Sequence, residues 1–103
     1  MTADYIEVNY PFIKVMSTEK YSKLANSDKE PTYAILNLDW DSGGTHWVGV
    51  ISKDNIIRYY DPFGVNSPFK NIKKPVIFNQ IDDQSITQAN CGWRSLMFIL
   101  SHL

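Results

Sequence analysis

Between Thr45 and Asp61 the chain carries two runs of β-branched and aromatic residues, "HWVGVIS" and "IIRYYD", separated only by "KDN". Such residues fit a pleated, half-buried surface, and a connection this short joins strands only in antiparallel fashion. A β-hairpin over 45–52 and 55–61 is therefore the strongest constraint on the fold. Its register has a chemical consequence, because cross-strand partners have position numbers that sum to a constant. With Lys53-Asp54 as the turn, His46 lies directly opposite Asp61. With Asp54-Asn55 as the turn, Asp61 lies opposite Val48 and diagonal to His46. Both registers put imidazole and carboxylate on one face, with Cβ atoms roughly 5 to 8 Å apart. A three-residue loop breaks that parity unless a bulge restores it. Each residue also has a simpler explanation. Asp61 opens "DPFG", where an aspartate bonds the turn backbone, and a strand histidine commonly just finds a hydrogen bond.

Around the hairpin, "STEKYSKLANS" (17–27) reads as a short helix with Ser17 or Thr18 as its cap. "TYAILNL" (32–38) is a continuous apolar run of strand length, expected to be buried on both faces. "DWDSGG" (39–44) and "VNSPFKNIKK" (65–74) read as loops, and "PVIFNQ" (75–80) as a further strand. "QANCGWRSLMFILSHL" (88–103) reads as a loop entering a helix, with Asn90 as cap and Cys91 at the first helical position. The architecture expected is α+β: one domain over 1–103 whose mostly antiparallel sheet surrounds the hairpin, with the Cys91 helix packed across it.

Composition removes several function classes. Apolar residues make up 44% and charged residues 20%, as in ordinary globular proteins, and an aromatic content of 14% argues against disorder. Formal net charge is −1 with basic residues scattered, so nucleic-acid binding has no electrostatic footprint. Lys70, Lys73 and Lys74 form the one local basic group and read as a solvated loop. No apolar run is long enough for a membrane span, and "MTADYIEV" lacks the layout of a signal peptide. A single cysteine excludes internal disulfides, and no cofactor or metal site is expected. The simple inference is a reducing intracellular compartment.

That one cysteine is placed for reactivity. A thiol on the first turn of a helix feels the positive end of the dipole and nearby unpaired N–H groups, and both favour thiolate. Elsewhere a lone cysteine is most often a small core hydrophobe. Here a polar loop precedes Cys91 and Gly92 removes bulk beside it. His102 is eleven residues further along the same helix, roughly 16 Å away by helical rise. A Cys–His pair must therefore join Cys91 to His46.

These pieces together resemble the adenovirus-type cysteine endopeptidases, relatives of the SUMO-deconjugating proteases. The likeness rests on "YAILNLDWDSGGTHWVGV", "YYDPFG" and "QSITQANCGW", within residues 33–98. The family orders its site as His, then Asp or Glu, then Gln, then Cys, and here the matching positions are His46, Asp61, Gln84 and Cys91. The resemblance implies that Cys91 attacks the scissile carbonyl as thiolate, that His46 protonates the leaving amine, and that Asp61 orients the imidazole. It further implies that Gln84 donates its side-chain amide to the oxyanion beside the Cys91 N–H, with Gln80 and Gln88 as rivals. Trp47 covers the dyad or lines the groove on this reading, or else packs on the far face against Tyr60. Trp40 is a candidate groove residue.

The resemblance also implies cleavage after glycine, in viral structural precursors during particle maturation, within host cytoplasm, nucleus or virion. Alternatives are an isopeptidase for ubiquitin-like proteins and a catalytically reduced relative serving as a virion or binding component. The adenovirus enzyme is stimulated by a peptide cofactor and by DNA. Neither is carried over, because peptide attachment by disulfide would consume Cys91 and the charge balance does not favour DNA. Family members continue with further helices behind the nucleophile helix, whereas Leu103 follows twelve residues after Cys91. The expectation is therefore that the apolar last helix mediates dimerisation or docks on a partner, or that the N-terminal segment wraps it.

Overall fold

The computed structural model describes residues 3–37, 46–61, 69, 72–78 and 91–103. In chain order it contains α1 (Ala3–Asn9), β1 (Ile13–Ser17), α2 (Thr18–Asn26), β2 (Tyr33–Asn37), β3 (Trp47–Lys53), β4 (Ile56–Tyr60), β5 (Val76–Phe78) and α3 (Cys91–Leu100). The strands form one five-stranded sheet in the order β1-β2-β3-β4-β5. Its centre, β2-β3-β4, is antiparallel and carries most of the ladder, while β1 on β2 and β5 on β4 are parallel margins. The parallel margins and the elements α1 and β1 go beyond the sequence expectations.

The hairpin turns on Asp54 and Asn55, whose φ values of 55° and 63° are both positive. Asp and Asn tolerate this left-handed region better than other non-glycine residues, and two such residues match the twist of the flanking strands. The register follows: Lys53 pairs with Ile56 and Gly49 with Tyr60.

α2 forms where expected. Ser17 caps it by accepting a hydrogen bond from the Lys20 N–H at 3.2 Å. At its other end Asp28 takes φ 55°, and the N–H groups of Asp28 and Lys29 return to the carbonyls of Ala25 and Leu24, closing the helix in a Schellman arrangement. The exposed Glu19–Lys23 pair adds little. Tyr21 and Ala25 face the sheet.

Strand alternation divides the core into two layers. On one face Ile6 of α1 and Leu96 and Ile99 of α3 cluster with Ile13, Ile35, Trp47 and Ile51. On the other, Tyr21 and Ala25 of α2 cluster with Met16, Ala34, Leu36, Val48, Val50, Ile57 and Tyr59. Helices on both faces make β2 a strand buried on both sides, as its unbroken apolar run predicts. α1 lies beside α3, with Tyr5 and Trp93 in edge-to-face contact at 5.1 Å between ring centroids. The N-terminal segment thus covers part of α3, while Trp93, Met97 and Leu103 stay exposed. No helix among the described residues is long and apolar enough to cross a membrane.

The basic trio reads differently in three dimensions. Lys74 is not solvated: its side chain is 11% exposed and pairs with Asp28 at 2.9 Å and with the buried Glu30. Ser52 Oγ also donates to Glu30, at 3.2 Å. The Lys73 N–H donates to Asn26 Oδ1 at 2.8 Å, so the segment before β5 is tied to the end of α2. Lys70 lies outside the described residues. Sequence alone reads a cluster of lysines as surface because the acidic partners are more than forty positions away.

Three groups couple this core to alkaline pH. Burial, with Glu30's charge second, pushes the Tyr21 hydroxyl above its ordinary value of 10.0. Burial, with Asp61's charge second, does the same for Tyr59. Hydrogen bonds to Glu30 and Asp28 raise Lys74 above 10.5. Each is raised in the folded state, so its contribution is complete below the unfolded value and is lost as pH climbs beyond it. The urea midpoint should therefore hold steady up to about pH 10 and fall above it. Tyr59→Phe should make that fall shallower without lowering the neutral midpoint much, because the Tyr59 hydroxyl has no hydrogen-bond partner among the described residues. A midpoint independent of pH to about 11.5 would contradict this reading.

Candidate functional site

His46 precedes β3 and Asp61 follows β4, so both stand one step past the strands that hold them. The hairpin's pairing sum places Asp61 across from Val48, which is the diagonal one of the two registers considered from sequence. In that position His46 Nε2 meets Asp61 Oδ1 at 3.1 Å. The carboxylate is fully buried, whereas the imidazole is 24% exposed. A buried acid holding one ring nitrogen, with the ring open toward solvent, fixes the tautomer and orientation of the imidazole.

α3 is seated on the neighbouring part of the sheet by a close approach. An added Cβ at Gly49 would lie 2.9 Å from the Ser95 carbonyl oxygen and 3.1 Å from the Phe98 ring. Glycine in mid-strand is what permits this contact. The buried Ser95 Oγ donates to the Trp47 carbonyl at 3.1 Å, tying the helix to the first residue of β3. Ser95 is bonded to Trp47 and Phe98 lies against Gly49, two residues further along β3, so α3 runs along β3 in the same direction. Its N-terminus consequently points to the His46 end of the strand. Cys91, one turn before Ser95, opens the helix there, with its backbone about 6 Å further along the axis.

Of the positions expected at the site, His46 and Asp61 are in contact, and Cys91 is the first residue of α3. The Cys91 side chain, Trp40, Gln84 and its rivals Gln80 and Gln88 lie outside the described residues. Trp47 is 8% exposed and packs in the cluster beneath α1 and α3. It is a packing residue there, not an open groove wall, because α3 covers the face onto which alternation turns it. The far-face alternative is the better description, although the stacked partner of Tyr60 is Phe98, at 4.9 Å.

Alternation carries a second message. Val48 and Tyr59 belong to the α2 face, and continuing each strand by two residues assigns His46 and Asp61 to that same side. The raised Tyr59 hydroxyl, which feels the Asp61 charge, agrees with this. The face that alternation gives His46 is thus the opposite one from the face that α3 covers. Among the described residues no three His, Cys, Asp or Glu side chains gather as metal ligands. Ser95 and Gly49 were not singled out from sequence as positioning residues; the signal available was the lone glycine inside a β-rich run.

No family model, curated protein or solved structure matches the chain.

Gly49→Ala tests the seating of α3. Strand propensity alone favours alanine over glycine by roughly 0.5–1 kcal/mol, but the new methyl meets helix backbone. The variant should lose about 1–3 kcal/mol in urea denaturation. A variant as stable as the parent would show that α3 is not held this closely.

Proposed function

We propose that the protein is a thiol endopeptidase in which Cys91 is the nucleophile, His46 the acid–base group and Asp61 the residue that positions His46. The observation carrying this reading is the 3.1 Å contact between His46 Nε2 and a fully buried Asp61. The direction of α3, which brings its first residue to the same end of the sheet, supports it.

With Nε2 engaged by Asp61, proton transfer runs through Nδ1. The Cys91 thiolate adds to the scissile carbonyl carbon, the C–N bond breaks, and the imidazolium gives its proton to the departing amine. The resulting thioester is hydrolysed by water, whose proton returns to His46, and Cys91 is released as thiolate. Gln84 takes the oxyanion role that the family resemblance gives it, beside the Cys91 N–H at the helix start. The resemblance also supplies the substrate class, a protein or peptide cut after glycine, in a viral or virus-like setting.

Two sets of substrates test the proposal: fluorogenic peptides with glycine before the reporter bond, and ubiquitin-like proteins ending in Gly-Gly-reporter. Cleavage of at least one set is expected, abolished by Cys91→Ala and lowered on the order of 10²-fold or more by Asp61→Asn with the fold intact. Preference between the sets separates endopeptidase from deconjugase. Hydrolysis that survives Cys91→Ala, or none by the folded protein on either set, would sink it.

A further inference from the structure

We propose that the outer surface of α1 and α3 is a dimer interface whose occupant is a second copy of this chain. Both helices lie on one face of the sheet and turn apolar residues to it, Ile6 from α1 and Leu96 and Ile99 from α3. Each helix also carries large apolar residues on the side away from the sheet. At 100° per residue, Val8 stands about 200° round α1 from Ile6, and Met97 about 160° round α3 from Ile99. Tyr5 is one turn before Val8, and Trp93 one turn before Met97. The rings of Tyr5 and Trp93 meet edge to face, with 5.1 Å between centroids, so the two helices present one continuous surface.

Exposure fixes how much apolar area this surface holds. Tyr5 is 40% exposed, Val8 79%, Trp93 40% and Met97 59%. Together they leave roughly 450 Å² in view, within the roughly 300–600 Å² of the largest patch on a typical monomer, which is often functional. A stable dimer takes about 800 Å² from each protomer. Somewhat over half of a non-obligate interface is apolar. The four side chains thus supply the apolar share of one standard interface. Asp4 and Ser101, one turn beyond them on either helix, are exposed at its rim.

A second copy fits this surface better than another class of partner. Tyrosine, tryptophan and methionine are residue types enriched where proteins meet. The four residues are uncharged, so the patch requires no complementary charge and can match itself across a two-fold axis. Because α1 and α3 both expose apolar ridges, an axis running between them sets each ridge on the other ridge of the partner. The formal net charge of −1 means that two copies bring together almost no like charge. A lipid surface would call for lysine or arginine around the patch, whereas α1 carries Asp4 and Glu7 and no basic residue. The interface does not depend on the hydrolase reading, since alternation assigns His46 and Asp61 to the opposite face.

Sedimentation velocity on the whole chain between about 1 and 300 µM tests the interface, because dissociation constants at this size run from micromolar downward. The weight-average mass should climb from 11.9 kDa toward twice that value and no further. Val8→Glu and Met97→Glu each place a charge inside the interface and should raise the dissociation constant at least about tenfold. Both positions are exposed in the single protomer, so the urea midpoint of the dilute variants should match that of the parent. In ¹⁵N-labelled protein, amide shifts that grow with concentration should concentrate at Tyr5, Val8, Trp93 and Met97. A mass of 11.9 kDa at every concentration would overturn the interface and leave this face to a different partner. So would a dimer that both substitutions leave intact, or association that continues past the dimer.

Discussion

The structure depends on a two-residue turn. Because Asp54 and Asn55 both take positive φ, β3 and β4 are locked in one register, and that register decides which side chain faces which along the whole hairpin. A slip of one residue would carry Val48 and Val50 to the α3 face and would take Gly49 away from Ser95. It would also separate His46 from Asp61. One local backbone preference thus sets the core pattern on both faces, the seat of α3 and the contact proposed for catalysis.

The two faces divide the labour. The α2 face is a rigid aromatic and aliphatic layer in which Tyr21 and Tyr59 are buried, tied by the Lys74–Glu30 pair to the segment ahead of β5. The other face holds α1 and α3, with α3 drawn in over Gly49. A carboxylate buried on the α2 side holds an imidazole at the rim, and the helix on the other side begins at a cysteine. His46 and Asp61 are placed by continuing one residue past the strands that hold them.

Much of this was legible in the residues. The β-rich runs and the "KDN" between them define the hairpin, and the diagonal register was one of two that keep His46 and Asp61 on one face. Ser17 and the polar–apolar spacing of 17–27 mark α2, and Cys91 opens the last helix as its loop-to-apolar transition implies. What escaped has physical reasons. α1 is seven residues long and buries chiefly Ile6, too little periodicity to stand out. β1 follows "YPF" and depends for its identity on pairing with β2, a long-range contact. Lys74 looked solvated because its acids come from the other end of the domain. Trp47 was balanced between groove and core, and the balance turned on which face α3 would cover, a tertiary fact that strand alternation alone does not contain.

The central claim is that the imidazole of His46 acts on the sulfur of Cys91, and the rate of iodoacetamide alkylation measured across pH tests it most directly. In the parent protein Cys91 should be alkylated rapidly well below the free-thiol value of about 8.5, and His46→Ala should slow the reaction and move its profile toward that of an ordinary thiol. A sluggish profile centred near 8.5 and unchanged by the substitution would mean that the two groups do not work together, and the His46–Asp61 contact would then be a structural hydrogen bond at the end of a sheet.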